Sequence, residues 1–358
     1  MTDTLPPGAT IGILGGGQLG RMLSVAAARL GYKTHIFEPG QNPPAGDVAH
    51  AVTTASYDDS AALTAFAAAV DVITYEFENV PTSALDILEA IRPIRPGRRA
   101  LAISQDRILE KQFLTGLGLT CAPYKAVNSA ADMNAAVAEI GAPSILKTTR
   151  LGYDGKGQMR LKVVSDGKEA FDSMNGQPSV LEGFIDFTHE VSVIAARGLD
   201  GSVSAYDPGE NVHRAGILHS TTIPAKLSPS QRTDAVLLAA RILNALDYVG
   251  VMGVELFVTA QGLIVNEIAP RVHNSGHWTQ NGCAVDQFEQ HIRAVAGLPL
   301  GDGSRFADVT MENLIGDDIA RVPTLLTEKN TALHMYGKPE ARPGRKMGHV
   351  NRITRGIS

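Results

Sequence analysis

The stretch Val251-Met252-Gly253-Val254-Glu255-Leu256-Phe257-Val258-Thr259-Ala260-Gln261-Gly262-Leu263-Ile264-Val265-Asn266-Glu267-Ile268-Ala269-Pro270-Arg271-Val272-His273-Asn274-Ser275-Gly276-His277-Trp278 decides how the chain is read. Apolar residues alternate over 252–258 and again over 263–268, which predicts two strands with Thr259 to Gly262 as their turn. A short loop closing on glycine suits a three-residue hairpin whose last position takes a positive φ. That register centres on Gln261 and sets Glu255 opposite Glu267. Two like charges directly opposed on an apolar ribbon repel unless a cation lies between them. A hard cation with oxygen ligands, most simply Mg²⁺ carrying a nucleotide's phosphates, removes that cost. The competing reading puts both glutamates in solvent on a surface hairpin. Against it stands the polar segment that follows. Pro270 ends the ladder because it has no N–H to donate, and Arg271, His273 and Asn274 come next. A cation, a fixed guanidinium and a titratable imidazole together suit a small anion and a phosphoryl group.

Composition limits the choices. A chain of 358 residues with 44% hydrophobic and 19% charged residues is expected to fold into two or three ordinary globular domains, not to stay disordered. A formal charge of −5 and the lack of a basic run argue against a nucleic-acid surface, so small molecules are the expected ligands. Cys121 and Cys283 form no Cys-x-x-Cys pair, which excludes a disulfide framework or a zinc site and suits a reducing compartment. The first residues lack a basic and then apolar leader pattern, and no apolar run reaches membrane-spanning length. The expected location is the cytoplasm, with no membrane partner.

The N-terminal region reads as α/β. Residues 9–14 form a buried-type strand, Gln18 to Leu30 have helical periodicity, and Thr34 to Phe37 form a second strand. Between strand and helix lies Gly15-Gly16-Gly17-Gln18-Leu19-Gly20, which fits the G-x-G-x-x-G pattern, and Glu38 stands where a ribose-binding acid would. A nicotinamide oxidoreductase is therefore a rival reading. The physics guarantees less: such a loop brings backbone N–H groups to an anion of any kind. A strand over 71–75 leads into Glu76, either a ligand contact at a strand's carboxyl end or a helix-capping acid. A helix over 83–91 follows, and a new one near Ser104 carries Arg107 and Lys111; the first domain boundary is expected there.

The second block opens with helix and turn, then a strand over 144–147 ends in Lys147. Thr148-Thr149-Arg150-Leu151-Gly152-Tyr153-Asp154-Gly155-Lys156-Gly157-Gln158 follows. This is not a Walker A loop. A glycine-rich turn rimmed by Lys147, Arg150 and Lys156 can fold over polyphosphate; a plain hairpin loop with solvated charges is the alternative.

These motifs, with Glu182-Gly183-Phe184-Ile185, resemble the ATP-grasp ligases. The string 266–278 and the tail Arg342-Pro343-Gly344-Arg345-Lys346-Met347-Gly348-His349 are similar to the N5-carboxyaminoimidazole ribonucleotide synthetases within them. The resemblance covers nearly the whole chain. It implies a Rossmann-like domain over 1–105, an ATP-grasp domain over 106–298 with a mobile part at about 120–185, and a small β-rich C-terminal domain over 299–358 packing on the first. It also implies ATP-dependent carboxylation of 5-aminoimidazole ribonucleotide by bicarbonate through carboxyphosphate; separately, the low aromatic content of 5% and the apolar faces suggest a homodimer.

Carried over residue by residue, the resemblance makes Arg107 and Lys147 ligands of the ATP phosphates and Gly152, Tyr153, Asp154, Gly155, Lys156, Gly157 and Gln158 the loop that closes over them. Glu182, Gly183, Phe184 and Ile185 would hold adenine through backbone groups, with Glu190 on the ribose and His213 on the nucleotide. Glu255 and Glu267 would bind Mg²⁺, with Asn266 beside them. Arg271, His273 and Asn274 would position bicarbonate and act in catalysis. Tyr153, Asp154, Lys156, Glu76, Lys338, Arg345, Lys346 and the backbone at Gln18 and Leu19 would hold the ribonucleotide. Asp286 falls where a related formate-using glycinamide ribonucleotide transformylase has a substrate aspartate. That transformylase chemistry, the oxidoreductase and a non-catalytic nucleotide-binding module are the alternatives.

Overall fold

In the computed structural model, which describes residues 4–150, 152 and 157–356, the strands β1 (Thr10–Leu14), β2 (Lys33–Phe37), β3 (Ala51–Thr53) and β4 (Val72–Tyr75) form a parallel sheet in the order β3-β2-β1-β4. Ile11, Ile13, Leu14, Val72 and Ile73 are wholly buried, as strands covered on both faces require. The glycine loop joins β1 to the helix Gln18–Arg29. Its glycines are needed by the chain's own packing. A Cβ on Gly15, where φ is +98°, would stand 2.6 Å from Glu76 Cγ, and one on Gly16 would stand 2.5 Å from Pro43 Cβ.

A second, antiparallel sheet runs β5-β8-β6-β7, from β5 (Tyr124–Val127), β6 (Ser144–Thr148), β7 (Gln158–Leu161) and β8 (Ser179–Gly183). The helices Ala130–Ile140 and Gly167–Ser173 supply Met133, Val137 and Ala170 to a small core with Leu146, Leu161 and Leu181. Strand β6 alternates buried and half-buried residues, so this sheet has one wet face.

The third sheet has nine strands. They are β9 (His189–Arg197), β10 (Val203–Ala205), β11 (Gly209–Arg214), β12 (Ile217–Ile223), β13 (Gly250–Thr259), β14 (Gly262–Ala269), β15 (Ala307–Ile315), β16 (Thr331–Met335) and β17 (Lys346–Gly356). Along β9 the side chains split by parity. Val191, Val193 and Ala195 pack toward the helix Pro229–Ala245, while Ile194 and Ala196 join the cluster of Phe288, Ile292 and Val295 from the helix Gln287–Ala296. That second cluster also takes Leu23, Ala26 and Ala27 from the N-terminal helix, so the first and third sheets share one core. The joint is also polar. His291 accepts from Val251 N at 3.0 Å on Nδ1, so its Nε2 carries the proton and meets Thr74 Oγ1 at 2.8 Å.

The tail behaves differently from a free-standing small domain. β15 pairs with β12, so β15, β17 and β16 continue the large sheet. The segment between β16 and β17 returns to the first domain, where Lys338 Nζ donates to Gln18 Oε1 at 2.6 Å. Among the described residues no helix is long and apolar enough to cross a membrane.

Candidate active site

The hairpin pairs Glu255 with Glu267, though by another route than a three-residue turn. The turn has two residues, Ala260 and Gln261, and Thr259 pairs with Gly262. The register then slips by one between Leu256, opposite Val265, and Glu255, opposite Glu267. Asn266 is the extra residue of this bulge, and it lines the cleft beside the two glutamates. Burial and the facing Glu267 push the Glu255 carboxyl up to about 8. His273 Nε2 lies 3.1 Å from Glu255 Oε1, and Arg107 Nη1 lies 3.1 Å from Glu267 Oε2.

The donor set is hard: two carboxylates and an amide oxygen, crowded enough to repel. It fits Mg²⁺, whose remaining positions are usually filled by water and phosphate oxygens. Among the described residues no group of three or more His, Cys, Asp or Glu is gathered for a metal, so water and phosphate oxygens would have to complete the shell.

One cleft of about 700 Å³ collects groups from all three sheets. Arg107, Lys147, Gly152, Gln158, Glu190, His213, Asn266, Glu267, Glu255, Arg271, His273, Asn274, Gln18, Leu19, Glu76, Lys338 and Lys346 line it. Arg107 opens the helix Arg107–Gly116, which Asp106 caps by accepting from Ile108 N at 2.9 Å; the helix expected near Ser104 is therefore two helices. Arg107 also donates to Gly152 O at 3.3 Å. Glu190 Oε2 stands 2.8 Å from His213 Nδ1.

Several assignments change. Glu182 brings its side chain into play: it is 4% exposed, with Lys147 Nζ at 3.0 Å and Lys111 Nζ at 3.3 Å. Burial alone would raise its pKa, and the two lysines hold it below the usual range. Gly183 N and Phe184 N are spent on Pro123 O and Pro143 O, and Phe184 lies under the Arg160 guanidinium. Gly183, Phe184, Ile185 and Gly157 lie off the cleft wall. The apolar wall comes instead from Ile145, Ile268 and the stacked rings of Phe187 and Phe257, whose centroids are 4.6 Å apart.

Glu76 does not point a free carboxylate at a ligand. It accepts from Gly17 N and from Gly20 N, the latter at 2.7 Å, and burial raises its pKa while those bonds lower it. Glu38 accepts from Gly16 N at 2.8 Å and Gly40 N at 2.9 Å. Glu38, the acid of the dinucleotide-like pattern, is therefore bound within the chain, as is Glu76, which weakens the case for an oxidoreductase. Asn274 exchanges two amide bonds with Asn313, at 2.9 and 2.8 Å, so it fixes its loop and does not aim a free amide at a reacting group. Arg345 turns aside to Glu340 O at 3.0 Å and is not on the cleft wall. Asp286 caps the helix Gln287–Ala296 and pairs with Arg29 at 3.2 Å, away from the cleft. Tyr153, Asp154, Gly155 and Lys156 lie outside the described residues.

Sequence reasoning gave no role to four polar groups, of which it had named Lys111. Glu78 grips Arg271 Nε at 2.5 Å and Nη2 at 3.3 Å; burial works against its charge, and Arg271 still holds its pKa low. Glu110 accepts from Ile268 N at 2.8 Å, next to Glu267, and burial with that neighbour pushes it up to about 8. Lys111 is buried against Glu182. Gln287 clamps the backbone of His273, taking its N–H at 2.9 Å and giving to its carbonyl at 2.8 Å. Glu78 and Glu110 stand two and three residues from Glu76 and Arg107, and that proximity was the available signal.

Known proteins resemble this chain along most of its length. Residues 8–105 match the ribonucleotide synthetase preATP-grasp domain, 112–288 the ATP-grasp domain and 310–357 the phosphoribosylaminoimidazole carboxylase C-terminal domain. The chain is similar to the N5-carboxyaminoimidazole ribonucleotide synthase of Brucella melitensis, 56% identical over 98% of each chain. The Bacillus subtilis enzyme of that name is 42% identical over 96% of this chain and 91% of its own. Among solved structures, an Aspergillus clavatus N5-carboxyaminoimidazole synthase in complex with ADP and 5-aminoimidazole ribonucleotide superimposes with a TM-score of 0.91 at 30% identity, covering 98% of this chain and 95% of that one.

Proposed function

The chain belongs to the N5-carboxyaminoimidazole ribonucleotide synthase family of ATP-grasp enzymes, and from that premise we propose that it carboxylates 5-aminoimidazole ribonucleotide with bicarbonate at the expense of ATP. The products are N5-carboxyaminoimidazole ribonucleotide, ADP and phosphate. A bicarbonate oxygen attacks the γ-phosphorus, the bond to the β-γ bridging oxygen breaks, and ADP leaves. The exocyclic amine of the ribonucleotide then attacks the carbonyl carbon of carboxyphosphate, the carbon–oxygen bond to phosphate breaks, and the amine gives up a proton.

The observation that carries this reading is the Glu255/Glu267 pair, opposed in one cleft with Arg107, Lys147 and Arg271. Mg²⁺ held there supplies positive charge to the phosphate oxygens. Arg107 and Lys147 meet the phosphates, and Phe187, Phe257, Ile145 and Ile268 enclose the base. Glu190 takes the ribose hydroxyls. Arg271, held by Glu78, keeps N–H groups for bicarbonate and for charge that grows on the moving phosphoryl group, where preorganised donors count most. His273 stands next to that position. Lys338 and Lys346, with the unsatisfied first-turn N–H groups at Gln18 and Leu19, suit the phosphate of the ribonucleotide. Asn274 serves by keeping the His273 loop in place.

The boundaries near residues 105 and 298 are part of this proposal. So is a cytoplasmic homodimer; both cysteines are free, which suits a reducing compartment. The test is ADP release with each substrate omitted in turn, using ¹⁸O-bicarbonate. Label in the released phosphate is the expected result. ADP release that ignores bicarbonate, or phosphate without label, contradicts the carboxyphosphate route.

A further inference from the structure

His273 is the end point of a polar chain that crosses the large sheet. Asn211 on β11 lies opposite Thr221 on β12; on its other side β9 sets Glu190 opposite it, and Ser192, two residues along β9, is the diagonal neighbour on the same face. Thr221 Oγ1 donates to Asn211 Oδ1 at 2.9 Å, and Asn211 Nδ2 donates to Ser192 Oγ at 3.1 Å. Ser192 Oγ donates to Ser275 Oγ at 2.6 Å, and Ser275 Oγ meets His273 Nδ1 at 2.8 Å.

The direction of every bond in this chain follows from the one before it. An amide nitrogen can only donate, so Ser192 must accept from Asn211, and its single proton goes to Ser275. Ser275 then accepts from Ser192, and its own proton goes to His273 Nδ1. The same Nδ1 also faces Ser275 N–H at 3.4 Å. A ring nitrogen that receives donors holds a lone pair, so the neutral imidazole carries its proton on Nε2, the atom 3.1 Å from Glu255 Oε1. Thr221, Asn211, Ser192 and Ser275 are all buried, so reversing any link would leave a donor or acceptor unpaired away from water. Gln287 holds the His273 peptide on both sides, and the ring itself is gripped at Nδ1 by Ser275 and at Nε2 by Glu255.

We infer that Asn211 is a positioning residue that sets the tautomer of His273 through Ser192 and Ser275. This rests on the reaction proposed above. With its proton on Nε2, His273 presents a donor to the carboxylate and phosphate oxygens of the cleft. With the proton on Nδ1, it would present a lone pair to those same anions. Because Nδ1 accepts from Ser275, that nitrogen holds a lone pair, and the geometry itself selects the neutral ring with its proton on Nε2.

Asn211→Asp is the test, because it is nearly isosteric yet has no proton to give Ser192. Ser192 then donates to the carboxylate and accepts from Ser275, Ser275 accepts from His273, and the imidazole proton moves to Nδ1. The full-length chain, labelled with ¹⁵N-histidine, is compared with wild type at about pH 8.5, well above the usual carboxylate range. The His273 Nδ1 resonance is expected to change from the acceptor type to the protonated type. The turnover number for ADP release with bicarbonate and ribonucleotide is expected to fall about a hundredfold or more, as a wrong tautomer lowers it in a Ser-His-Asp triad. ADP affinity should stay within roughly twofold, which separates this role from a general loss of structure. Ser275→Ala is the second variant; it removes the strong donor to Nδ1, and a mixture of the two tautomers is expected. An unchanged His273 spectrum in Asn211→Asp, or a reversed spectrum with wild-type turnover, overturns the inference. A wild-type enzyme whose ADP release ignores bicarbonate instead defeats the functional reading, and the spectra still decide who sets the tautomer.

Discussion

Two acid-bearing segments meet at the same cleft and treat their charges in opposite ways. In the glycine loop, Glu38 and Glu76 are each satisfied by backbone N–H groups from Gly16, Gly17, Gly20 and Gly40. In the hairpin, Glu255 and Glu267 face each other, and burial with that repulsion lifts Glu255 far above the ordinary carboxylate range. The first pair is satisfied by backbone donors; the second meets the side chains of His273 and Arg107, each at 3.1 Å, and still sets two carboxylates against each other. A glycine pattern can thus be explained by internal packing, whereas two carboxylates opposed on the wall of a cleft call for something from outside.

The comparison can be broken most forcefully at Arg271, which links the two segments through Glu78. Arg271→Lys keeps the charge and loses the planar fork, so steady-state kinetics should show about a hundredfold lower turnover number. A loss below about threefold would mean that the guanidinium merely ties Glu78 down. Next comes Glu76→Ala, which strands the N–H groups of Gly17 and Gly20. Urea unfolding should show a loss of about 1–3 kcal/mol, with a smaller effect on rate than at Arg271. A collapsed rate at unchanged stability would instead put Glu76 on the substrate and erase the contrast.

The joint between the segments gives a pH test. The pKa of His291 is lowered to about 3 by burial, against 6.5 in the unfolded chain, so between those values the unfolded state binds the extra proton. Stability from this group is therefore complete above pH 6.5 and declines as pH falls toward 3, by at most about 1.4 kcal/mol per pH unit. His291→Gln, which can still accept from Val251 and donate to Thr74, should remove that share of the slope in urea midpoints measured across the window. An unaltered slope would show that His291 is protonated in the fold. The smallest effect is expected at Phe187→Leu. Losing the stack on Phe257 should weaken ADP binding about fivefold by calorimetry, and unchanged affinity would move the base elsewhere.

What could be read beforehand followed the range of the forces involved. Strand alternation, the helix Gln18–Arg29 and the Glu255/Glu267 pairing depend on residues near in sequence, and they were legible. Even there the bulge at Asn266 stayed hidden, since a three-residue turn and a two-residue turn with a bulge place the same two glutamates together. The pairs Glu78 with Arg271 and Glu110 with Ile268 span 193 and 158 positions, so nearness to Glu76 and Arg107 could mark the two acids but not their partners. Asn274 looked reactive because its partner, Asn313, comes from a strand that the reading had assigned to a separate tail. Glu76 looked free because the loop that binds it was taken as a site for an external anion.

The most direct test of the account is ATP turnover across a Mg²⁺ titration, with bicarbonate and ribonucleotide saturating, in Glu255→Ala and Glu267→Ala. The predicted result is a fall on the order of a hundredfold or more at every Mg²⁺ concentration, in proteins that still melt cooperatively. Wild-type ADP release from either variant would contradict the claim that this carboxylate pair anchors the metal and the triphosphate.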